Sequence, residues 1–452
     1  MVEKTNRLIR HIFVLLFISL CAGIPLNKAQ GLTLISDTET ENYLTQIAKP
    51  LFKAAGVNFN QNNIFIVSDN SLNAFVSDGN YLFVNTGTLL NIDDSNELAG
   101  ILAHEIGHIL GGHIVRQKLK MENMQYVMLG SMLAAGAAAV STGRGDAAMA
   151  VILGSQSSAL NSMLNYQIEE ERSADESAVK LLARTKQSTA GLQRFMRKIK
   201  QQNTLSGIEE NAYFRTHPMT SERISHFTEA AKKNSFTPKN SLDKNLAMVK
   251  AKLAAFMLNE TKVRRLYPST QTTLPARYAH AVFAFRQGNT QKALTEIDAL
   301  LQEQPNNPYF HELKGQFLFE SGQTGKSVVS YEKALKLLPN SPLLQISLAH
   351  ALLESSAEEK QARRAAGLLQ QSLISAPSTT AWQLLARAYD LCGETAASYY
   401  AAAEFNYGIG NLEGAQKQIE RAKKASPAKS VLLKLNDLSE RVKAEIKEQH
   451  AF

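Results

Sequence analysis

The chain of 452 residues has little of what staples or breaks structure: 2 Cys, 1 Trp and 12 Pro. Cys21 lies in an N-terminal apolar run and Cys392 near the other end, so neither a disulfide framework nor a cysteine metal site is available. Proline and the 25 glycines are too sparse for a collagen-like or mucin-like chain, and 44% hydrophobic against 20% charged residues excludes bulk disorder. The formal charge of +8 is scattered, and no compact basic run is interleaved with aromatics, so we expect no nucleic-acid partner. The excess suits peripheral contact with an anionic membrane surface or acidic partners, and equally plain solubility. At about 100 to 200 residues per domain the length suggests roughly three domains.

Lys4, Arg7 and Arg10 precede an apolar run over 12–20, which Pro25 breaks before Ala29. That order is the one a secretory signal peptide has, and the run is short of the roughly 20 residues a membrane span needs. Residues 1–29 are therefore expected to be a signal peptide and the chain to be exported, with retention as an N-terminal anchor as the alternative. Leu20 is bulky where lipidation at Cys21 wants a small residue.

Residues 30–240 mix helical periodicity with short β-branched runs. Ser36 or Asp37 can cap a helix to about Ala55; 64–67, 73–76 and 81–85 read as strands; 97–118 reads as one long helix. After a polar stretch at 232–241 the pattern becomes almost wholly helical, placing a boundary at about residue 240. In 241–452, Pro305 and Pro339 lie 34 residues apart, the tetratricopeptide period. Ala281 and Gly315, Gly288 and Gly322, and Leu300 and Ala334 share that period. Trp382, Leu385, Ala386 and Tyr389 match the first helix of another unit, while Gly410, Ala415 and Pro427 match the turn, second helix and end of the last. Four irregular repeats fit, stacked into a solenoid whose concave side can receive a peptide or partner. The expected fold is an α+β domain followed by an all-α repeat domain.

The chemistry is concentrated in His104-Glu105-Ile106-Gly107-His108 on the long helix. Residues four apart share a face, so His104 and His108 can present two imidazole nitrogens to one zinc ion, with Glu105 beside them to take a proton from water. The plainer alternative is two histidines on an ordinary helix. A third histidine six positions beyond the second is absent, since Ile114 stands there, and His113 is expected to point elsewhere. An acid is the other option: Glu169, Glu170 and Glu171 are adjacent, and spacing does not choose among them. Asp175, one turn past Glu171, can orient a ligand imidazole.

These residues resemble the gluzincin metallopeptidase family that includes HtpX and the CAAX prenyl proteases. The likeness rests on His104-Glu105-x-x-His108, on Glu171-x-x-Ala174-Asp175, on Asn73-Ala74-Phe75 with Gly79 to Gly87, and on His217-Pro218 through Arg223. It implies a zincin-type domain, mostly helical with a small sheet, holding one Zn2+ per chain. It also implies that Glu171 is the third ligand, that Asp175 is either an orienting partner or a proton donor, and that His217 is a fourth ligand able to cap the zinc until substrate displaces it. With a signal peptide in front and repeats behind, it further implies a periplasmic protease whose polypeptide substrates are outer-membrane β-barrel proteins and which engages their assembly machinery.

Asn80, Tyr81, Leu82, Phe83 and Val84 alternate as an edge strand suited to pairing with an extended substrate would, although a strand satisfied on both sides alternates equally. Residues 126–140 and 147–153 are small and apolar, each short of a span. They suggest a mobile lid or a membrane-grazing hairpin beside the cleft. The functional expectation is an exported zinc metalloendopeptidase. Its alternatives are a chaperone or adaptor with a mostly capped zinc site, and an integral-membrane protease using 126–153.

Overall fold

A computed structural model describes residues 32–60, 63–77, 79–120, 132, 145–206, 213, 216–218, 220–234, 236 and 242–449. The expected signal peptide and most of the 126–153 stretch lie outside these residues. Among the described residues no single helix is long and apolar enough to cross a membrane.

After a two-residue strand, β1 (Leu34–Ile35), helix α1 (Thr38–Ala55) starts where Asp37 accepts a hydrogen bond from the Thr40 N–H and stops at Gly56 with φ of 68°. Strands β2 (Ile64–Val67), β3 (Ala74–Ser77) and β4 (Tyr81–Asn85) follow, then the short α2 (Thr86–Asn91). Strand β4 pairs in parallel with β2 and antiparallel with β3, so among the described residues β3 ends the sheet on that side. The expectation that residues 80–84 form the edge is thus corrected. Alternation reports which face a side chain takes but says nothing of which strands lie alongside. Asn80 itself sits in the turn, with φ of 62°.

Helix α3 (Ser95–Gly111) carries the histidine motif and is buried on every side from Ser95 through His108. Asp94 caps it by accepting from the Glu97 N–H, and an apolar surface all round makes it the central rod of the domain. Two glycines admit its neighbours. A methyl group on Gly100 would come within 2.6 Å of Leu192 in α6 (Ala190–Ser206), and one on Gly107 within 2.6 Å of the Ala174 carbonyl in α5 (Gly145–Arg184). The single long helix expected over 97–118 is broken. Gly112, at φ of 62°, caps α3, and the chain turns by 58° into α4 (His113–Lys120). Helix α7 (Ser221–Lys233) follows α6.

Helix α8 (Asp243–Met257) begins just past the expected boundary and belongs to two cores. Leu246, Val249 and Leu253 pack with the core of the N-terminal α+β domain, while Met248, Ala251 and Ala255 pack with the first repeats. Its Asp243 carboxylate accepts from the Ser95 N–H at the start of α3, at 2.9 Å. After α9 (Glu260–Leu266), antiparallel pairs follow: α10 (Leu274–Arg286) with α11 (Thr290–Glu303), α12 (Pro308–Glu320) with α13 (Thr324–Leu337), and α14 (Pro342–Ser355) with α15 (Glu359–Ser375). Gly288 and Gly322 make the turns of the first two pairs in the left-handed region, as the 34-residue period expects. Beyond these, α16 (Thr379–Leu391) turns at Gly393 into α17 (Thr395–Gly408), and Gly410 then starts α18 (Leu412–Lys424) before α19 (Lys429–Gln449). The last expected unit therefore contains an extra helix, because Gly393 and Gly410 are both turns.

Candidate metal centre

One turn of α3 places His104 and His108 on the face that meets α5, and the bare Cα of Gly107 lets α5 come close enough for its Glu171 to reach both. The Nε2 atoms of the two histidines lie 3.2 Å apart. Glu171 Oε1 is 3.2 Å from His108 Nε2, and Glu171 Oε2 is 3.3 Å from His104 Nε2. His217 joins them, its Nδ1 lying 3.3 Å from His104 Nε2 and 2.9 Å from Glu171 Oε1. All four residues are buried, and their donor atoms lie within 4.8 Å of one another. Four atoms each about 2.0–2.1 Å from a tetrahedral centre stand about 3.3 Å apart. The donor set therefore fits one zinc ion. Imidazole lone pairs facing one another at this range need a cation or a proton between them.

Protonation follows the same logic. Burial pushes His108 down to about 3, the neutral form a metal needs. Burial also works against charge on His104, but contacts with Asp175 and Glu171 outweigh it and push the imidazole up to about 10. The carboxylates thus hold a positive charge at that point, as a proton or as a metal ion. For Glu171, burial is outweighed by His217 and Arg223, which keep the carboxyl well below the usual range.

A second layer of residues contacts these donors. Asp175 Oδ1 is 2.9 Å from His104 Nδ1, and Arg223 grips the same carboxylate at 2.6 and 2.8 Å while its Nη1 stands 2.7 Å from Glu171 Oε2. Of the two roles open to Asp175, the geometry serves orientation. Burial would raise its pKa, but Arg223 and His104 lower it, so it is poorly suited to donate a proton. Arg223 gains its role here, and its only signal in the sequence is its spacing from His217-Pro218. His113 was expected to point elsewhere. The turn at Gly112 instead swings it back until its Nδ1 lies 2.8 Å from His108 Nδ1, its ring filling the space that a side chain on Gly111 would take. The Gly111-Gly112 pair was the legible sign.

The adjacent acids separate clearly. Glu169 is exposed and pairs with Arg172, and Glu170 turns to Arg116 at 3.8 Å. His217 is held from behind by Tyr213, whose ring stacks on it at 4.5 Å and whose carbonyl accepts its N–H at 2.7 Å. Glu105 is fully buried; among the described residues neither of its oxygens accepts a hydrogen bond, its Oε1 stands 3.6 Å from His217 Nε2, and burial raises its pKa. It lines a cleft of about 270 Å³ together with Phe75, Val76, His108, Glu171 and His217. Residues 81–84, in β4, do not line it.

Residues 38–231 match the sequence profile of peptidase family M48. The chain is similar to a putative beta-barrel assembly-enhancing protease of Vibrio cholerae, 28% identical over 82% of this chain and 77% of that one. It is also similar to the beta-barrel assembly-enhancing protease of Yersinia pestis, 23% identical over 78% of this chain and 73% of that one. A crystal structure of a tetratricopeptide repeat protein from Parabacteroides merdae overlaps 54% of this chain and 98% of its own, with 14% identity and a TM-score of 0.27.

Proposed function

Taking as premise that residues 38–231 are a domain of peptidase family M48, which makes the chain a metalloprotease, we propose that it is a zinc-dependent endopeptidase acting on extended polypeptides. The observation that carries this reading is the convergence of His104, His108, Glu171 and His217 beside the buried carboxyl of Glu105, whose Oε1 stands 3.6 Å from His217 Nε2. Bound zinc supplies Lewis-acid polarisation of a carbonyl and of water. Glu105 then takes the water's proton and delivers it to the leaving amine, a task suited by burial that strengthens its hold on a proton. Asp175 and His113, through His104 Nδ1 and His108 Nδ1, would keep the opposite ring nitrogens free for a bound ion. A substrate strand pairs along β3, the end strand whose Phe75 and Val76 line the cleft.

Residues 1–29 direct export to the periplasm. The repeats from about residue 241 present clients or assembly machinery to the domain of residues 30–240. The name carried by the similar proteins supports clients among outer-membrane β-barrel proteins and their assembly machinery. A second reading, a chaperone or adaptor whose zinc stays capped, is favoured by the place of His217 within the donor set. Glu105→Gln separates the two. Under the peptidase reading the variant keeps its zinc and loses cleavage of an unfolded barrel protein by at least about 100-fold, together with its cellular role. A variant with every cellular role intact would favour the adaptor.

A further inference from the structure

The outer face of the sheet carries a feature that peptide hydrolysis in general does not require. Ile64 and Ile66, Ala74 and Val76, and Leu82 and Val84 are buried in the core, so the residues between them point to the opposite face. There Phe65, Phe83 and Phe75 stand directly opposite one another on adjacent strands. Phe65 and Phe83 stack with centroids 5.1 Å apart at 20°, and Phe83 and Phe75 at 4.8 Å and 9°. Tyr81, 42% exposed, meets Phe65 edge-on at 5.7 Å.

This ladder has a repeat and a direction. Its ring spacing matches the about 4.7–4.9 Å between neighbouring strands, so one further strand placed in register would add one further ring. It ends at Phe75, on the strand that ends the sheet. Phe75 and Val76 point to opposite faces, yet both line the metal cleft, so the cleft meets this strand edge-on. An extended chain lying there is at once in pairing position with β3 and within reach of Glu105.

Resting on the peptidase reading above, we infer that Phe75, backed by Phe83 and Phe65, selects polypeptide segments that place an aromatic side chain opposite it, so that the substrate's ring becomes the next rung of the stack. The occupant is thus an extended strand with an aromatic residue on its outer face. Its flanking residues turn away from the ladder and are left unselected. An aromatic pair in such a position favours Phe over Ala by roughly 3- to 10-fold in kcat/KM.

The test uses the zinc-loaded full chain and a set of peptides in which one Phe is moved through every position of an otherwise Ala/Ser/Thr host. The expected result is a gain of about 3- to 10-fold at one position relative to the scissile bond. That ratio collapses toward 1 in Phe75→Ala, whatever happens to the absolute rate, and persists in Phe75→Tyr; Phe83→Ala, one strand removed from substrate, lowers it in part. A flat wild-type profile, or a preference that survives Phe75→Ala, overturns the inference and leaves the rings to another occupant, such as a segment of this chain. Absence of cleavage of every peptide by the zinc-loaded wild type overturns the peptidase reading and this inference with it.

Discussion

Two clusters of buried carboxylates differ in what sits at their middle. At the joint between α1, α8 and the first repeats, Asp37, Glu39 and Glu312 gather around the Lys252 ammonium, which pairs with Asp37 and stands 3.7 Å from Glu39. Tyr278 donates to Glu39 at 2.9 Å and Thr38 to Glu312 at 2.5 Å. One ammonium does not neutralise every acid there. Burial pushes Glu39 and Glu312 up to about 7, whereas for Asp37 burial is outweighed by Lys252 and the carboxyl is lowered. At the metal centre Arg223 stands behind Glu171 and Asp175, and no cationic side chain among the described residues enters the space between the four donors. Burial and charge are common to both clusters, so neither marks chemistry. What marks it is lone pairs converging on a point that no side chain among the described residues fills.

Removing the joint's own cation gives the largest effect expected on stability. Lys252→Met leaves the half-buried Asp37 with its Thr40 hydrogen bonds but no cation and should lower unfolding free energy by about 2–4 kcal/mol in chemical denaturation, with zinc content unchanged. Loss of zinc in that variant would show that the two clusters are not independent.

The joint should also respond to pH. Glu39 and Glu312 bind a proton more tightly folded than unfolded, so their contribution is full below the ordinary value of 4.5 and is lost as pH rises through about 7. Glu41, which burial raises to about 8, extends the window, while Asp37 acts in the opposite sense only below 3.8. Stability should therefore fall by about 1–3 kcal/mol between pH 5 and pH 8. Glu39→Gln should flatten that slope.

At the metal centre the effect sharpens to a single hydrogen bond. His113→Ala should weaken zinc binding about 10- to 100-fold in chelator competition, and His113→Asn, whose carbonyl can accept from His108 Nδ1–H, should recover part of the loss. Equal loss in both variants would mean that His113 only packs. The smallest effect belongs to exposed charge: Arg363, paired with Glu359 and Glu394 on the surface, should leave the denaturation midpoint essentially unchanged on substitution by Ala.

The sequence was most informative where the physics is local. Asp37 as a cap, the strands at 64–67 and 81–85, and the histidine pair four residues apart all depend on neighbours within one or two turns of chain. Glu171 required the family resemblance, since Glu169 and Glu170 satisfy the same spacing and only tertiary packing at Gly107 separates them. Strand order, the return of His113 and the grip of Arg223 on Asp175 are contacts between distant segments, which periodicity does not encode. The joint is the extreme case, for residues 37, 39, 252, 278 and 312 share no pattern along the chain.

Zinc content per chain, measured on the wild type, Glu171→Ala and Lys252→Met purified in parallel, tests the comparison most directly. The account predicts about one ion in the wild type and in Lys252→Met and close to none in Glu171→Ala. A wild type without zinc, or a Glu171→Ala variant that keeps its full complement, would contradict it.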